Sequence, residues 1–180
     1  VKDLSEIKAD EIVIATGATP KRARIPGFEK TIEACDYLLS DKKVGDNVVI
    51  IGGGLTGCEI AYELSLNGKN PVIVEALNDL MATPKLCLAN SSYLRDYFKY
   101  KNVPVYLESK VMEIKDDGVI IEDKNGKRTA IKADNVISAI GYNPNPLAKK
   151  GRHIHIVGDA QKVGNLRTVV WRAWEVAEKI

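Results

Sequence analysis

Residues 48 to 59 are Val48-Val-Ile-Ile-Gly-Gly-Gly-Leu-Thr-Gly-Cys-Glu59, an apolar run that ends in glycines spaced as Gly52-x-Gly54-x-x-Gly57. The four β-branched residues predict a parallel strand that is buried on both faces, and the composition of residues 55–67 predicts a helix directly after it. The glycines therefore lie in a strand-to-helix turn. Such a turn lets the backbone approach a phosphate closely, and the N-terminus of the following helix favours an anion. The stretch predicts the pyrophosphate site of a dinucleotide.

A second predicted strand, Pro71-Val-Ile-Val-Glu75, follows the helix and ends in an acid 18 residues beyond Gly57. A carboxylate at this place can accept hydrogen bonds from both hydroxyls of an adenosine ribose, whereas it would repel a 2′-phosphate. No arginine follows within residues 76–81 that could pair with such a phosphate. The pattern therefore favours NADH over NADPH. The alternative is that the glycines form only a tight structural turn and that Glu75 is a solvated strand end.

The bulk composition is that of an ordinary globular protein. With 180 residues, 45% hydrophobic content and a net charge of +2, the chain can bury one good core, and it has no basic tract for nucleic acid or a membrane surface. Its three cysteines are scattered, which argues against a disulfide framework, a zinc site or an iron–sulfur cluster and favours a reduced, cytoplasmic setting. We expect no metal site and no membrane span. Because the chain opens on Val1 and runs at once toward a strand, we expect it to be a piece of a longer polypeptide.

The remaining patterns predict an α/β fold built on a Rossmann-type parallel sheet. Within residues 110–132, three β segments are separated by Asp117-Gly118 and Asn125-Gly126, whose composition predicts hairpin turns and an inserted antiparallel meander. Residues 134–140 then predict the return strand of the main sheet. Helices are also predicted over residues 31–39, 90–101 and 169–180, and short strands over residues 10–15, 103–107 and 153–157.

Two short motifs flank the nucleotide motif, and each has an apolar strand, a glycine and a nearby proline. Alone, each predicts only a strand exit. Around the central motif, they make the chain resemble the two-dinucleotide-binding-domain flavoproteins. The likeness is closer still to the 2-enoate reductases and 2,4-dienoyl-CoA reductases, NADH:flavin oxidoreductases that carry an old yellow enzyme barrel. The residues that carry it are Ala15-Thr-Gly17, Gly52 to Ala61, Glu75, Ala82 to Ala89, Ala139-Ile-Gly141 and Gly158 to Arg167.

The resemblance implies a nucleotide domain inserted into an FAD domain. Residues 1–46 would leave a partial FAD domain, residues 47–146 would form the NAD-binding domain, and residues 147–180 would return to the FAD domain. It implies NADH on the glycine turn and Glu75, Gly141 near the nicotinamide, and Asp159 against the ribityl chain or pyrophosphate of FAD. The candidate cofactor-binding residues are Gly17, Gly52, Gly53, Gly54, Leu55, Thr56, Gly57, Glu59, Glu75, Gly141, Gly158 and Asp159.

The implied parent enzyme would pass hydride from NADH to FAD and onward, through an iron–sulfur cluster and FMN, to an activated C=C bond. This chain has no N-terminal FAD fingerprint, no cysteine cluster and too few residues for the FMN barrel, so it resembles a C-terminal excision. Its partners would be NADH and the remainder of the parent polypeptide, and it would be inactive alone. Two alternatives stay open: a non-catalytic dinucleotide-binding module, and a fragment of an NADH oxidase or disulfide reductase.

Individual side chains add little catalytic chemistry. Glu59, in the first turn of the predicted helix, either helps to orient the nicotinamide carboxamide or is a plain helix N-terminal acid. Cys58 has the spacing of a small buried hydrophobe. His153 and His155 alternate on one predicted strand without acidic neighbours at ligand spacing, so we do not expect them to bind a metal. No residue is assigned as a catalytic acid or base.

Overall fold

The computed structural model describes residues 4–40, 42–82 and 86–180, and these residues form twelve strands and four α-helices. The strands are β1 (Ile12–Ile14), β2 (Ala18–Pro20), β3 (Ile32–Glu33), β4 (Asn47–Ile51), β5 (Asn70–Val74), β6 (Val105–Tyr106), β7 (Ser109–Lys115), β8 (Gly118–Asp123), β9 (Arg128–Lys132), β10 (Asn135–Ser138), β11 (Tyr142–Pro144) and β12 (Ile154–Ile156). The helices are α1 (Ala34–Leu39), α2 (Leu55–Leu66), α3 (Leu88–Tyr100) and α4 (Leu166–Ala177). Short 3-10 turns cover Leu4–Glu6, Phe28–Lys30 and Gly158–Ala160.

The central feature is a five-stranded sheet in the order β3-β10-β4-β5-β6. Every neighbouring pair in it is parallel. The three-stranded meander β7-β8-β9 is antiparallel and forms a separate sheet. The predicted α/β fold, with a Rossmann-type parallel sheet and an inserted antiparallel meander, is therefore confirmed.

Strand β4 is buried on both faces, as its β-branched run predicts. Because successive side chains alternate, Val48 and Ile50 join the apolar cluster that includes Leu64 of α2, whereas Val49 joins the cluster that includes Ile121 of the meander. Both clusters close over the sheet and exclude water from it. The carboxyl end of β4 is thereby held in a fixed place, and the glycine turn starts from it.

The chain enters the sheet earlier than the sequence indicates. A helix is predicted over residues 31–39, but Ile32–Glu33 is a strand that pairs with β10, and α1 begins only at Ala34. The physical reason is a cap: the carboxylate of Glu33 accepts hydrogen bonds from the backbone N–H groups of Cys35 and Asp36. Glu33 is the N-cap and has extended backbone, so α1 cannot begin before Ala34.

The described chain divides into two compact units. One comprises residues 22–141, and the other comprises residues 1–21 together with residues 142–180. The first boundary differs from the predicted one at residue 46, because β3 hydrogen-bonds to β10 and so belongs with the sheet. The assignment of the units to NAD and FAD stays a prediction.

The unit formed by the two ends of the chain contains two strand pairs and the last helix. Strand β1 pairs in parallel with β12, and β2 pairs antiparallel with β11. Helix α4 starts at Leu166, three residues before the predicted start, because Asn165 and Thr168 form a capping box. No residue of α4 is buried, and Trp171 and Trp174 are exposed, so they are not part of a core.

In this unit, the carboxylate of Glu11 is hydrogen-bonded to two histidine side chains. Oε1 of Glu11 lies 2.8 Å from Nδ1 of His153, and Oε2 lies 2.7 Å from Nε2 of His155. No acid lies at ligand spacing from these histidines in the sequence, and Glu11 reaches them from the position before the neighbouring strand β1. The hydrogen bonds from His153 and then His155 hold the pKa of Glu11 below its usual range.

The lowered pKa of Glu11 predicts acid-dependent stability. A carboxylate whose pKa is lower in the folded chain stabilises the fold above its unfolded pKa, about 4.3, and loses this effect as pH falls through the folded value. We expect the Glu11→Gln variant to melt below the wild type at pH 6, with the gap shrinking toward pH 3.5. Thermal unfolding at several pH values measures this, with Glu175→Gln on the exposed α4 as control. A gap that is constant with pH would contradict it.

Candidate dinucleotide site

The turn between β4 and α2 is closed so tightly that two of its glycines cannot carry a side chain. Gly52 has a φ of +107°, and a Cβ on it would lie 2.5 Å from the carbonyl oxygen of Ala139. A Cβ on Gly57 would lie 2.0 Å from the carbonyl oxygen of Gly52. The first turn of α2 therefore packs directly against the end of β4. Because of this close packing, the N-terminus of α2 lies at the carboxyl end of β4.

Gly54 differs from both, because a Cβ on it would meet no atom within 4 Å. Gly54 is the N-cap of α2. Its carbonyl oxygen accepts the N–H of Cys58, and this is the first hydrogen bond of the helix. The N–H groups of Leu55, Thr56 and Gly57 precede that donor, so they have no acceptor within the helix. Open space beside Gly54 and N–H groups at a helix N-terminus together fit a pyrophosphate.

The peptide groups of Gly53 connect the turn to the next strand. Its N–H donates to Oε2 of Glu75 over 2.6 Å, and its carbonyl oxygen accepts the N–H of Met81 over 2.7 Å. Glu75 follows β5 and also accepts the N–H of Leu77 on Oε1, over 2.7 Å. The structure thus brings together the glycine turn and the acid, two features predicted separately. Each carboxylate oxygen keeps a further lone pair, so Glu75 can still accept a hydroxyl.

Cys58 lies behind this turn and is fully buried. Its thiol lies 3.4 Å from the carbonyl oxygen of Gly53. Burial raises the pKa of Cys58 to about 12, so the thiol stays protonated at neutral pH. The prediction of a small buried hydrophobe is confirmed.

Sequence reasoning missed an arginine beside the loop that follows Glu75. Arg95 of α3 binds Asp79 through two hydrogen bonds, Nε to Oδ1 over 3.1 Å and Nη2 to Oδ2 over 2.9 Å. Its Nη2 also donates to the carbonyl oxygen of Leu80 over 2.5 Å. The hydrogen bonds from Arg95 hold the pKa of Asp79 below its usual range. Arg95 lies outside residues 76–81 and 16 positions from Asp79, so the local sequence after Glu75 does not reveal this partner.

The other predicted site residues are spread over both units. Glu59 lies exposed on α2, and Gly141 follows β10; both belong to the sheet unit. Gly17, Gly158 and Asp159 belong to the unit formed by the chain ends. The structure therefore groups Gly52, Gly53, Gly54, Leu55, Thr56, Gly57 and Glu75 at one edge of the sheet.

Asp159 is half-buried in the 3-10 turn Gly158–Ala160 and accepts the N–H of Gly164 on Oδ1 over 3.0 Å. The carbonyl oxygen of Gly158 accepts Nη1 of Arg172 over 3.2 Å. These contacts use one carboxylate oxygen and one backbone carbonyl. The second oxygen of Asp159 has no hydrogen-bond partner among the residues described, so it fits a hydroxyl donor such as a ribityl chain.

The two motifs that flank the nucleotide motif meet each other. Strands β2 and β11 continue from Gly17 and Gly141 and pair antiparallel, with Ala18 opposite Pro144. The N–H of Asn145 donates to the carbonyl oxygen of Gly17, and the hydroxyl of Thr16 donates to the carbonyl oxygen of Asn145. The chain thus leaves and re-enters this unit at one short ladder.

No cluster of three or more His, Cys, Asp or Glu in the described part of the chain could hold a metal ion. Among the helices that the structure describes, none is long and apolar enough to cross a membrane.

The sequence of residues 1–165 matches the model of the pyridine nucleotide-disulphide oxidoreductase family. The match spans most of the chain, including the glycine turn and Glu75. The chain therefore belongs to this family of flavin-dependent NAD(P)H oxidoreductases, and the family implies both FAD and NAD(P)H as cofactors. The predicted class, a flavoprotein oxidoreductase, is confirmed.

The relatives include reductases of several kinds. A cinnamate reductase of Clostridium sporogenes is 38% identical over 185 residues, which cover 99% of this chain and 28% of the relative. An NADH oxidase of Thermoanaerobacter brockii is 34% identical over 191 residues, which cover 98% of this chain and 29% of the relative. The structure of a 2-naphthoyl-CoA reductase in complex with 2-naphthoyl-CoA matches with a TM-score of 0.83 and 28% identity, over 95% of this chain and 27% of that one. The chain thus spans less than a third of these relatives.

Proposed function

We propose that this chain is the NADH-binding part of a longer flavoprotein that passes hydride from NADH to FAD and onward to an activated C=C bond. The observation that carries the proposal is the glycine turn with the carboxylate of Glu75 folded onto it. The named substrates of two relatives support the C=C bond, since a cinnamate reductase and a 2-naphthoyl-CoA reductase both act on conjugated carboxylic acid derivatives. We propose further that the parent enzyme is of the 2-enoate reductase or 2,4-dienoyl-CoA reductase type.

Each part of the turn has a role in this proposal. The open face of Gly54 leaves room for the pyrophosphate, and the N–H groups of Leu55, Thr56 and Gly57 donate to it. Glu75 accepts the ribose hydroxyls on the lone pairs that Gly53 and Leu77 leave free. Oriented binding is the contribution of these residues, because the redox chemistry itself belongs to NADH and FAD.

The residues outside the turn have more distant roles in the proposal. Glu59, exposed on α2, and Gly141, after β10, are assigned to the nicotinamide half. Gly17, Gly158 and Asp159 are assigned to FAD, and the half-buried carboxylate of Asp159 supports this assignment. FMN, an iron–sulfur cluster and the substrate site are proposed for the remainder of the parent polypeptide.

The dinucleotide site predicts a binding defect without a folding defect. In the Gly54→Ala variant, the new methyl group meets no protein atom within 4 Å, so we expect unchanged thermal unfolding. The same methyl group would occupy the space proposed for the pyrophosphate, and we expect NADH affinity to fall by at least about tenfold, about 1.4 kcal/mol. Calorimetric titration with NADH measures this.

The matched control is Gly151→Ala, a glycine outside the turn whose added Cβ would make only ordinary contacts, at 3.7 Å or more, with Ile154. We expect it to bind NADH as the wild type does. The proposal fails if the wild-type chain binds no dinucleotide, or if Gly54→Ala and Gly151→Ala bind NADH equally well.

A further inference from the structure

The pair formed by Asp79 and Arg95 stands out among the ion pairs of the sheet unit. It is a two-pronged contact, with Nε and Nη2 each bonded to a different carboxylate oxygen. The side chain of Arg95 is 27% exposed and that of Asp79 is 54% exposed, so the pair can be reached from solvent. A planar guanidinium fork suits a phosphate as well as it suits a carboxylate. Here the carboxylate occupies the fork.

The pair is directly connected to the proposed ribose site. Asp79 lies four residues after Glu75 in the same loop, and Arg95 also donates to the carbonyl oxygen of Leu80. Leu80 packs on the glycine turn, because a Cβ on Gly53 would lie 2.6 Å from its Cδ2. The loop therefore carries two carboxylates, Glu75 and Asp79, and the guanidinium of Arg95 on α3 beside it is already bound to Asp79.

We propose that Asp79 is a second determinant of dinucleotide selectivity, which disfavours a ribose 2′-phosphate by saturating Arg95 and by adding a second carboxylate to the loop that follows Glu75. This inference rests on the proposed NADH site and adds a residue that sequence spacing did not assign to it. A dinucleotide without the 2′-phosphate, NADH, meets neither obstacle.

The chemistry of the two dinucleotides explains the expected direction. A 2′-phosphate approaching this loop meets two carboxylates, and like charges at close range repel. When Asp79 is replaced by asparagine, one negative charge is removed and the fork of Arg95 is no longer held by an anion. The side chain keeps its size and one acceptor oxygen, so the contact between Arg95 and Leu80 is retained.

The test is a titration of the full chain with NADH and with NADPH, in the wild type and in Asp79→Asn. We expect the affinity for NADPH relative to NADH to rise by about five- to tenfold, the size of one partly screened charge interaction. In the double variant Asp79→Asn/Arg95→Gln, this gain should vanish. The control is Asp116→Asn. Asp116 lies in the turn between β7 and β8 and forms an ion pair with Lys30, so its replacement should leave the ratio of NADPH to NADH affinity unchanged.

Each outcome is decisive. An unchanged ratio in Asp79→Asn overturns the proposal while leaving the NADH site in place. An equal loss of affinity for both dinucleotides also overturns it, because the pair would then only position the loop. A gain that survives Arg95→Gln assigns the effect to the Asp79 carboxylate alone and overturns the role of Arg95, because the double variant has the net charge of the wild type. A gain that Asp116→Asn reproduces assigns the effect to net charge and overturns the proposal. A wild-type chain that binds neither dinucleotide removes the proposed function and this inference together.

Discussion

Replacing Gly57 with alanine is expected to lower the free energy of unfolding by about 3 kcal/mol and to abolish NADH binding. The added Cβ would lie 2.0 Å from the carbonyl oxygen of Gly52 and 3.3 Å from the Cβ of Ala139. The carbonyl is backbone, so relief requires α2 to move away from β4. That movement would displace the N–H groups of Leu55 and Thr56 from the proposed pyrophosphate. Urea unfolding and an NADH titration measure the two effects.

Gly54→Ala is the matched control for this variant, because it adds the same methyl group three positions earlier in the same turn. Its Cβ meets open space, so its unfolding midpoint should equal that of the wild type. If Gly57→Ala were as stable as Gly54→Ala, the close packing of α2 on the end of β4 would be wrong.

Glu75→Gln is expected to weaken NADH binding by about tenfold and to destabilise the chain by about 2 kcal/mol. The carboxylate accepts two backbone N–H groups, one from Gly53 and one from Leu77. The amide of glutamine offers one oxygen, so its NH2 group must face one of these donors. Because Gly53 is buried, the lost bond there is not replaced by water. Calorimetric titration and chemical unfolding measure the two effects.

The control is Glu63→Gln, the same change at an exposed position of α2. We expect this variant to match the wild type in both measurements. An NADH affinity in Glu75→Gln equal to that of the control would show that the carboxylate takes no part in binding.

Local patterns predicted the centre of the fold because its physics is local. The strand β4, the glycine turn and α2 follow from a β-branched run and three glycines within 20 residues. Strand β5 and its terminal acid follow from the same alternation of strand and helix. Gly52 has a positive φ and Gly57 packs on the carbonyl oxygen of Gly52, so the need for these two glycines is set within the turn and their spacing carries the information.

Contacts between distant residues were not predictable in this way. The sequence placed Glu75 at the end of a strand but not on the N–H of Gly53, since that contact depends on the strand pairing of β4 with β5. Arg95 meets Asp79 only because α3 packs beside the loop, and Glu11 meets His153 only through β1 and β12. These partners lie 16 and 142 positions apart, and no known sequence motif relates either pair.

The pairing of β1 with β12 also has a consequence for the order in which the chain folds. Glu11 and His153 are separated by 142 positions, and closing so long a loop in an unfolded chain has a large entropic cost. Residues 22–141, by contrast, form a parallel sheet and a meander whose contacts span shorter stretches of chain. Once they have folded, the antiparallel ladder of β2 and β11 brings the two ends of the chain together. We expect the outer unit to assemble last.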